Sequence, residues 1–329
     1  MSYLKLNDIS SYCLIADPAN NAGQAMTTAN TLKKVRASMM NAIHDLPLLV
    51  ARDEGFFRDE GLDVEILKTP GTAQRNADHQ ALQDNIFTRT MEALYDGGQC
   101  DQFRMCEWGV MKRAVEADQS GHRPTKIVAL GSAMSSFAIV TSPGARIYEP
   151  EQLKNKAIAV SPFNGSHFTT LKMLEGFLNR EQIRWVNAGT MKERLEALHT
   201  GEVAAASLME PWISVAEKQG CRVLIESHST RSEAAGDELD GPTLAAMFRA
   251  EARAAEAIEK NPEPYLHYLL GEAGGLLEAK DLRVSRILNA PPEPYSRERF
   301  NHTYQWTLSW GLVPSGATYE NTVDNRAWQ

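Results

Sequence analysis

Apolar and polar positions follow two periods along the chain, and the places where the period switches mark the elements. Residues 1–32 are rich in Asn, Ala, Ser and Thr with weak periodicity and read as an N-terminal surface extension. KVRASMM then predicts a strand, NAIHD a turn, LPLLVARDEGFF an amphipathic helix and LDVEIL an alternating strand, which together form a βαβ unit. A helical stretch over 76–95 stops at Asp96-Gly97-Gly98, CDQFRM is a strand, and WGVMKRAVEADQS is a helix. KIVALGS (126–132), SFAIVTS (136–142) and IAVSP (158–162) read as three separate strands. FNGSHF opens the helix TTLKMLEGFL, RWVNAG is a strand, TMKERLEALHTG a helix closed by Gly, VAAASLM a strand and EPWISVAEKQG the helix after it. Beyond Glu226 the pattern turns helical, and the Ala- and Glu-rich stretch 244–260 is expected to be a solvated scaffold helix. Strands alternating with helices imply an α/β fold with mostly parallel sheets. Short crossovers near 132–136 and 227–243, the second polar and charged, are the candidate joints between two lobes.

Composition narrows the function without naming it. The 329 residues are 43% hydrophobic, enough for a substantial core, and the formal net charge of −8 argues against nucleic acid or an anionic membrane as partner. No window reaches the roughly 20 consecutive apolar residues of a membrane span, so no membrane insertion is expected. The N-terminal segment lacks the pattern of a secretory signal, which points to a cytoplasmic protein, or a periplasmic one if the true start lies upstream. Four cysteines without a Cys-x-x-Cys pair and eight scattered histidines suggest no disulfide framework and no metal site. The common phosphate-loop, dinucleotide and hydrolase motifs are absent, and no cofactor is expected.

In an open parallel sheet, ligands gather beyond the carboxyl ends of strands, which nominates five segments. Asn41 and His44 follow the first strand, His44 serving as donor, general base or stacking ring, or else only as a helix-capping residue. Thr72 lies in a turn whose amides suit an anion or simply close the chain on itself. Arg104, Cys106, Glu107 and Trp108 place a cation, a thiol, a carboxylate and an indole within five positions, although Cys106 also reads as a small buried hydrophobe and Glu107 as a first-turn helix acid. Ser161, Asn164, Gly165, Ser166 and His167 combine hydroxyls, a glycine and a helix start, the ingredients of an anion site. Glu210 and Trp212 sit at another strand end, where a tight turn with Trp212 in the core is the alternative.

The segments HDLPLLVARDEGFFRDEGLDVEIL (44–67), MEALYDGGQCDQF (91–103), IYEPEQLKNKAIAVSPFNGSH (147–167) and RLEALHTGEVAAASLMEPW (194–212), in this order, resemble the type II periplasmic-binding-protein superfamily. The similarity is to its branch of alkanesulfonate, taurine and nitrate binders and thiamine-pyrimidine-synthase-like proteins. The resemblance implies two α/β lobes, 33–133 plus 243–329 and 134–242, closing on a ligand between them. That family holds binding proteins of ABC importers and enzymes that reuse the cleft. The resemblance does not extend to the cysteine-rich motif of the pyrimidine synthases, and the loop of a desulfinase's nucleophilic cysteine is here Asn41-Ala-Ile-His44. Two readings follow. One is a cytosolic lyase, such as a decarboxylase, or a hydrolase, acting on a small anionic, aromatic or heteroaromatic compound. Arg104 would grip the anion, Trp108 and Trp212 would flank the ring, and His44 or His167 with Glu107 would move protons. The other is a substrate-binding protein of an importer, or a sensor. The aromatic end, Tyr304, Trp306 and Trp310, is expected to pack on the first lobe or to form a homodimer contact.

Overall fold

The computed structural model describes residues 31–68 and 91–329, with only the backbone of 91 and 117–120. The expectations for residues 1–30, for the turn at Thr72 and for most of the 76–95 helix lie outside those residues. In chain order the first elements are β1 (Lys33–Met39), α1 (Ala42–Asp53), α2 (Phe56–Asp59), β2 (Leu62–Lys68), α3 (Met91–Asp96), β3 (Gln102–Met105), α4 (Glu107–Ser120) and β4 (Lys126–Thr141). They are followed by β5 (Ala157–Val160), α5 (Gly165–Leu174), β6 (Arg184–Asn187), α6 (Met191–His199), β7 (Ala205–Met209), α7 (Trp212–Lys218) and β8 (Arg222–Ala235). The last are α8 (Gly241–Lys260), α9 (Leu266–Glu272), β9 (Ile287–Asn289), α10 (Arg297–Ser309) and α11 (Tyr319–Thr322).

The strands form a mixed sheet in the order β2-β1-β3-β8-β4-β7-β5-β6, with β9 on β4. At one end β1 pairs in parallel with β2 and β3; at the other, β5 pairs in parallel with β6 and β7. Between them β4 and β8 run antiparallel to each other and to their outer neighbours. The parallel pairs are those the βα alternation implies, and the two long strands that pass through both halves add the antiparallel part. β1 and β2 show why these residues are strands: Val35, Ala37, Leu62 and Val64 point inward while Lys34, Asp63 and Glu65 face water. β4 is buried over nearly its whole length, as a near-continuous run of Val, Ile, Ala and Leu requires.

The structure departs from the sequence reading at instructive places. KIVALGS and SFAIVTS are one strand, because Gly131 is not a terminator: β4 shifts register against β8 between Leu130 and Met134 and continues. Residues 227–235, read as a polar connection, are strand: they pair along β4, and Arg231, Ser232 and Glu233 find side-chain partners inside the protein. NAIHD is the first turn of α1, with the Asn41 side chain accepting from the His44 amide. The helix over 244–260 is not merely solvated. As part of α8 it packs against α1 and buries Glu251 completely.

A Cβ on Gly131 would meet Glu233 Oε1 at 2.6 Å and the Arg231 carbonyl at 3.0 Å, and neither can yield easily because one is ion-paired and the other is backbone. Gly131→Ala is therefore expected to lower stability by about 1–3 kcal/mol in denaturant melts, the range for overpacking.

Candidate functional site

The centre of the first half of the sheet holds a buried guanidinium. Arg104 and Glu233 are direct cross-strand partners on β3 and β8, so their side chains share one face. Arg104 Nε donates to Glu233 Oε1 at 2.6 Å and Nη1 to Asp45 Oδ1 at 3.3 Å, while Nη2 lies 2.7 Å from Glu251 Oε1 as an ion pair without an aligned hydrogen bond. Gln102 donates to the other Glu233 oxygen, and Ser132 to Glu251. Asp45 also accepts from the amides of Met40 and Asn41, closing the turn between β1 and α1, and Glu272 from α9 accepts from the Ala42 amide. Burial, opposed by Arg104, pushes Glu233 up to about 8, and burial raises Asp45 and Glu272 as well. Arg104 is thus enclosed by three carboxylates. These three carboxylates already neutralise the guanidinium, which argues against its expected role as the cation that grips a ligand.

A second buried guanidinium lies two residues before Glu233 on β8, at Arg231. Its Nη2 is 2.9 Å from His44 Nε2 and 3.2 Å from Nδ1, and 3.6 Å from where a Cβ on Gly165 would sit. The Phe137 ring packs against both His44, at 6.2 Å between centroids, and the Gly165 position. His44 from α1, Arg231 from β8, Phe137 from β4 and the first residue of α5 therefore converge. Among the described residues no carboxylate forms an ion pair with Arg231; Asp45 and Glu92 act on it at longer range. Burial draws the Arg231 guanidinium below its ordinary value, but an Arg remains charged. Burial and the two neighbouring guanidinium groups hold His44 well below the ordinary histidine value, so its ring is neutral and accepts from Arg231. Sequence reasoning brought in Asn41, His44 and Gly165 but missed Arg231 and Phe137. The available signal is the basic residue in the polar run HSTRSE, which lies within the expected crossover 227–243.

The remaining candidates fall into other surroundings. The Cys106 thiol is buried and pushed up to about 11, chiefly by burial, which keeps it protonated and opposes a nucleophilic role. Glu107 accepts from the Tyr295 hydroxyl and from Arg299 Nε at 2.9 Å and Nη2 at 3.1 Å, so its oxygens are held on the α10 side. Trp108 is buried between Phe168, at 4.8 Å, and Trp306, at 6.1 Å. The turn before α5 is knit to itself: Ser161 N–H donates to Ser166 Oγ, Asn164 donates to Ser161 Oγ and accepts from the Ser166 amide, and the Phe163 amide donates to His167 Nδ1. His167 nests among Phe163, Phe168 and Trp185. Glu210 pairs with Arg286, which also binds Glu217 and Glu226, and the half-buried Trp212 packs on the core next to it.

The comparisons agree with this architecture. The family model described as NMT1/THI5 like matches residues 43–86. No curated protein matches the chain. The alkanesulfonate-binding protein SsuA of Xanthomonas axonopodis pv. citri, bound to MOPS, superposes with a TM-score of 0.66 at 16% identity over 88% of this chain and 97% of that one. The periplasmic nitrate-binding protein NrtA of Synechocystis PCC 6803 gives 0.63 at 13% identity over 87% and 83%. The desulfurization enzyme DSZB gives 0.60 at 11% identity over 88% and 95%. The chain has the type II periplasmic-binding-protein-like fold, as the order of its sequence motifs implied.

Two predictions follow from the Arg104 cluster. Arg104→Leu strands three buried carboxylates and is expected to cost about 3–5 kcal/mol of unfolding free energy in denaturant melts. Glu233 rises from its ordinary 4.5 to about 8 on folding, so its contribution is fully present below pH 4.5 and is lost as the pH climbs to about 8. Glu92, raised by burial to about 8, acts in the same direction. Thermal midpoints should fall across that window and fall less steeply in Glu233→Gln; a rising midpoint would contradict the assignment.

Proposed function

We propose that this chain is a binding protein for a small anion of the sulfonate or nitrate kind, held by Arg231 where α1, β4, β8 and the start of α5 meet. The observation that supports this most strongly is the charge state of Arg231: a buried cation with no carboxylate on it among the described residues. Leaving a charge out of water without a counter-ion is costly, and an anionic ligand would supply that counter-ion. A guanidinium presents paired donors that match the oxygens of a sulfonate, nitrate or carboxylate. The start of α5, next to the Arg231 guanidinium, adds the positive end of a helix.

The same geometry speaks against the enzyme reading. His44 is neutral and faces two guanidinium groups, which makes it a poor acid and a weakened base; Cys106 is a thiol; Glu107 is tied to Tyr295 and Arg299. Capture needs only orientation and charge, and these are what the site offers. The sulfonate and nitrate binders that share the fold support the same direction, as does the anionic character of their ligands.

Isothermal titration with methanesulfonate, MOPS, nitrate and benzoate tests the proposal. At least one anion is expected to bind, and Arg231→Gln to weaken it by roughly 100-fold or more, as truncating one member of a buried charge pair does. Arg231→Lys, which keeps the charge without the fork, is expected to fall in between. Binding unchanged in Arg231→Gln, or chemical turnover of the bound anion, would overturn the reading.

A further inference from the structure

A cluster of polar and aromatic side chains far along the chain joins the two halves of the sheet, in addition to β4 and β8, the Trp108–Phe168 contact and the ion pairs of Lys218 and Glu217 on α7 with Asp281, Arg283 and Arg286. α5 belongs to the β5–β7 half, where Ser207 of β7 donates to the Ser166 carbonyl at 3.4 Å. α10 belongs to the other half, through Arg299 and Tyr295 on Glu107 of α4 and through the Asp324 amide on the Ile127 carbonyl of β4. Between these two bodies Glu175, just past α5, accepts from Trp306 Nε1 at 2.8 and 3.0 Å and from Trp310 Nε1 at 3.0 Å. Arg180 donates to the carbonyls of Ser309, at 3.0 Å, and Trp310, with its guanidinium 4.7 Å from the Trp310 ring. Lys172 of α5 lies 4.9 Å from the Trp306 ring and 5.4 Å from that of Trp108.

We infer that Glu175, Arg180, Trp306 and Trp310 form a clasp that holds α5 over Arg231 and so controls how readily a bound anion leaves. The inference rests on the anion-binding reading for its consequence, but not for its mechanics. The only covalent joints described between the halves are β4 and β8, and β4 shifts register between Leu130 and Met134, beside Arg231. Rotation about that irregularity would lift Gly165 away from Arg231, and it would have to part the clasp. Glu175 and Arg180 are exposed and the two indoles half-buried, so the clasp competes with water and can open. The Arg104 cluster, fully buried and confined to α1, β3, β8 and α8, cannot open in the same way. Trp306 and Trp310 pack on the core, as expected of the aromatic end, and also reach across to the other half through their indole N–H groups. They touch no ligand and act as positioning residues.

The test compares wild type with Glu175→Gln and with the double variant Trp306→Phe, Trp310→Phe, which leaves an aromatic ring at each position and removes both N–H donors. Small-angle scattering of the anion-free proteins is expected to show a larger radius of gyration in both variants, with circular dichroism unchanged. Stopped-flow release of the tightest anion from the titration panel is expected to be roughly five- to tenfold faster. Equal radii of gyration in all three folded proteins would overturn the clasp, whether or not any anion binds. If wild type binds none of the anions, the functional reading fails on its own while scattering still decides the clasp.

Discussion

The buried contact between Arg104 and its three carboxylates is the constraint on which the site depends. It ties α1 through Asp45, β8 through Glu233 and α8 through Glu251 to one side chain on β3. Asp45 in turn closes the β1–α1 turn, which sets the first helical residues and with them the direction of His44. Glu233 fixes the register of β8, and Arg231 stands two residues away on the same face of that strand. One ionic knot thus decides where both members of the His44–Arg231 pair are placed. Such knots are not a cheap route to stability, because desolvation consumes most of the Coulomb energy, but removing one member leaves uncompensated charge behind.

Two arginines on neighbouring strands therefore have opposite electrostatic fates. Arg104 has more negative partners than it needs, and burial responds by raising Asp45 and Glu233 so that the excess charge is relieved by protons. Arg231 has a neutral imidazole in hydrogen-bond range and no carboxylate among the described residues. The first arrangement is closed on itself; in the proposed reading an anion completes the second. That difference, more than the number of titratable groups near the strand ends, is the ground for proposing capture over catalysis.

Much of the fold was legible because alternation and apolar runs are local. Val35 and Ala37 in β1 and Leu62 and Val64 in β2 announce themselves by alternation, and β5 and β7 by short continuous apolar runs. The end of β8 could not be read this way: Arg231, Ser232 and Glu233 look like a loop until Arg104, Gln102 and His44 are found across from them. Arg104 and Arg231 were likewise indistinguishable in sequence, since which of them is neutralised depends on cross-strand register and on Glu251, about 150 residues away in the chain. The strand-end rule led to His44 and Gly165, which converge on Arg231, and to Asn41, which caps α1, but also to Glu107, Glu210 and His167, whose partners come from α10, from Arg286 and from Trp185. The C-terminal tryptophans were visible as an aromatic group, whereas Glu175, the acceptor they share, had no local signal.

The central claim is that Arg231, and not Arg104, meets the ligand. A crystal structure of the protein grown with 2-bromoethanesulfonate tests it most directly, because the bromine can be located by its anomalous scattering. The account predicts sulfonate oxygens on the Arg231 guanidinium, with the bromine beside Phe137 and the start of α5 and the Arg104 carboxylates undisturbed. A sulfonate found on Arg104 with Asp45 or Glu251 displaced, or bound away from both arginines, would contradict it.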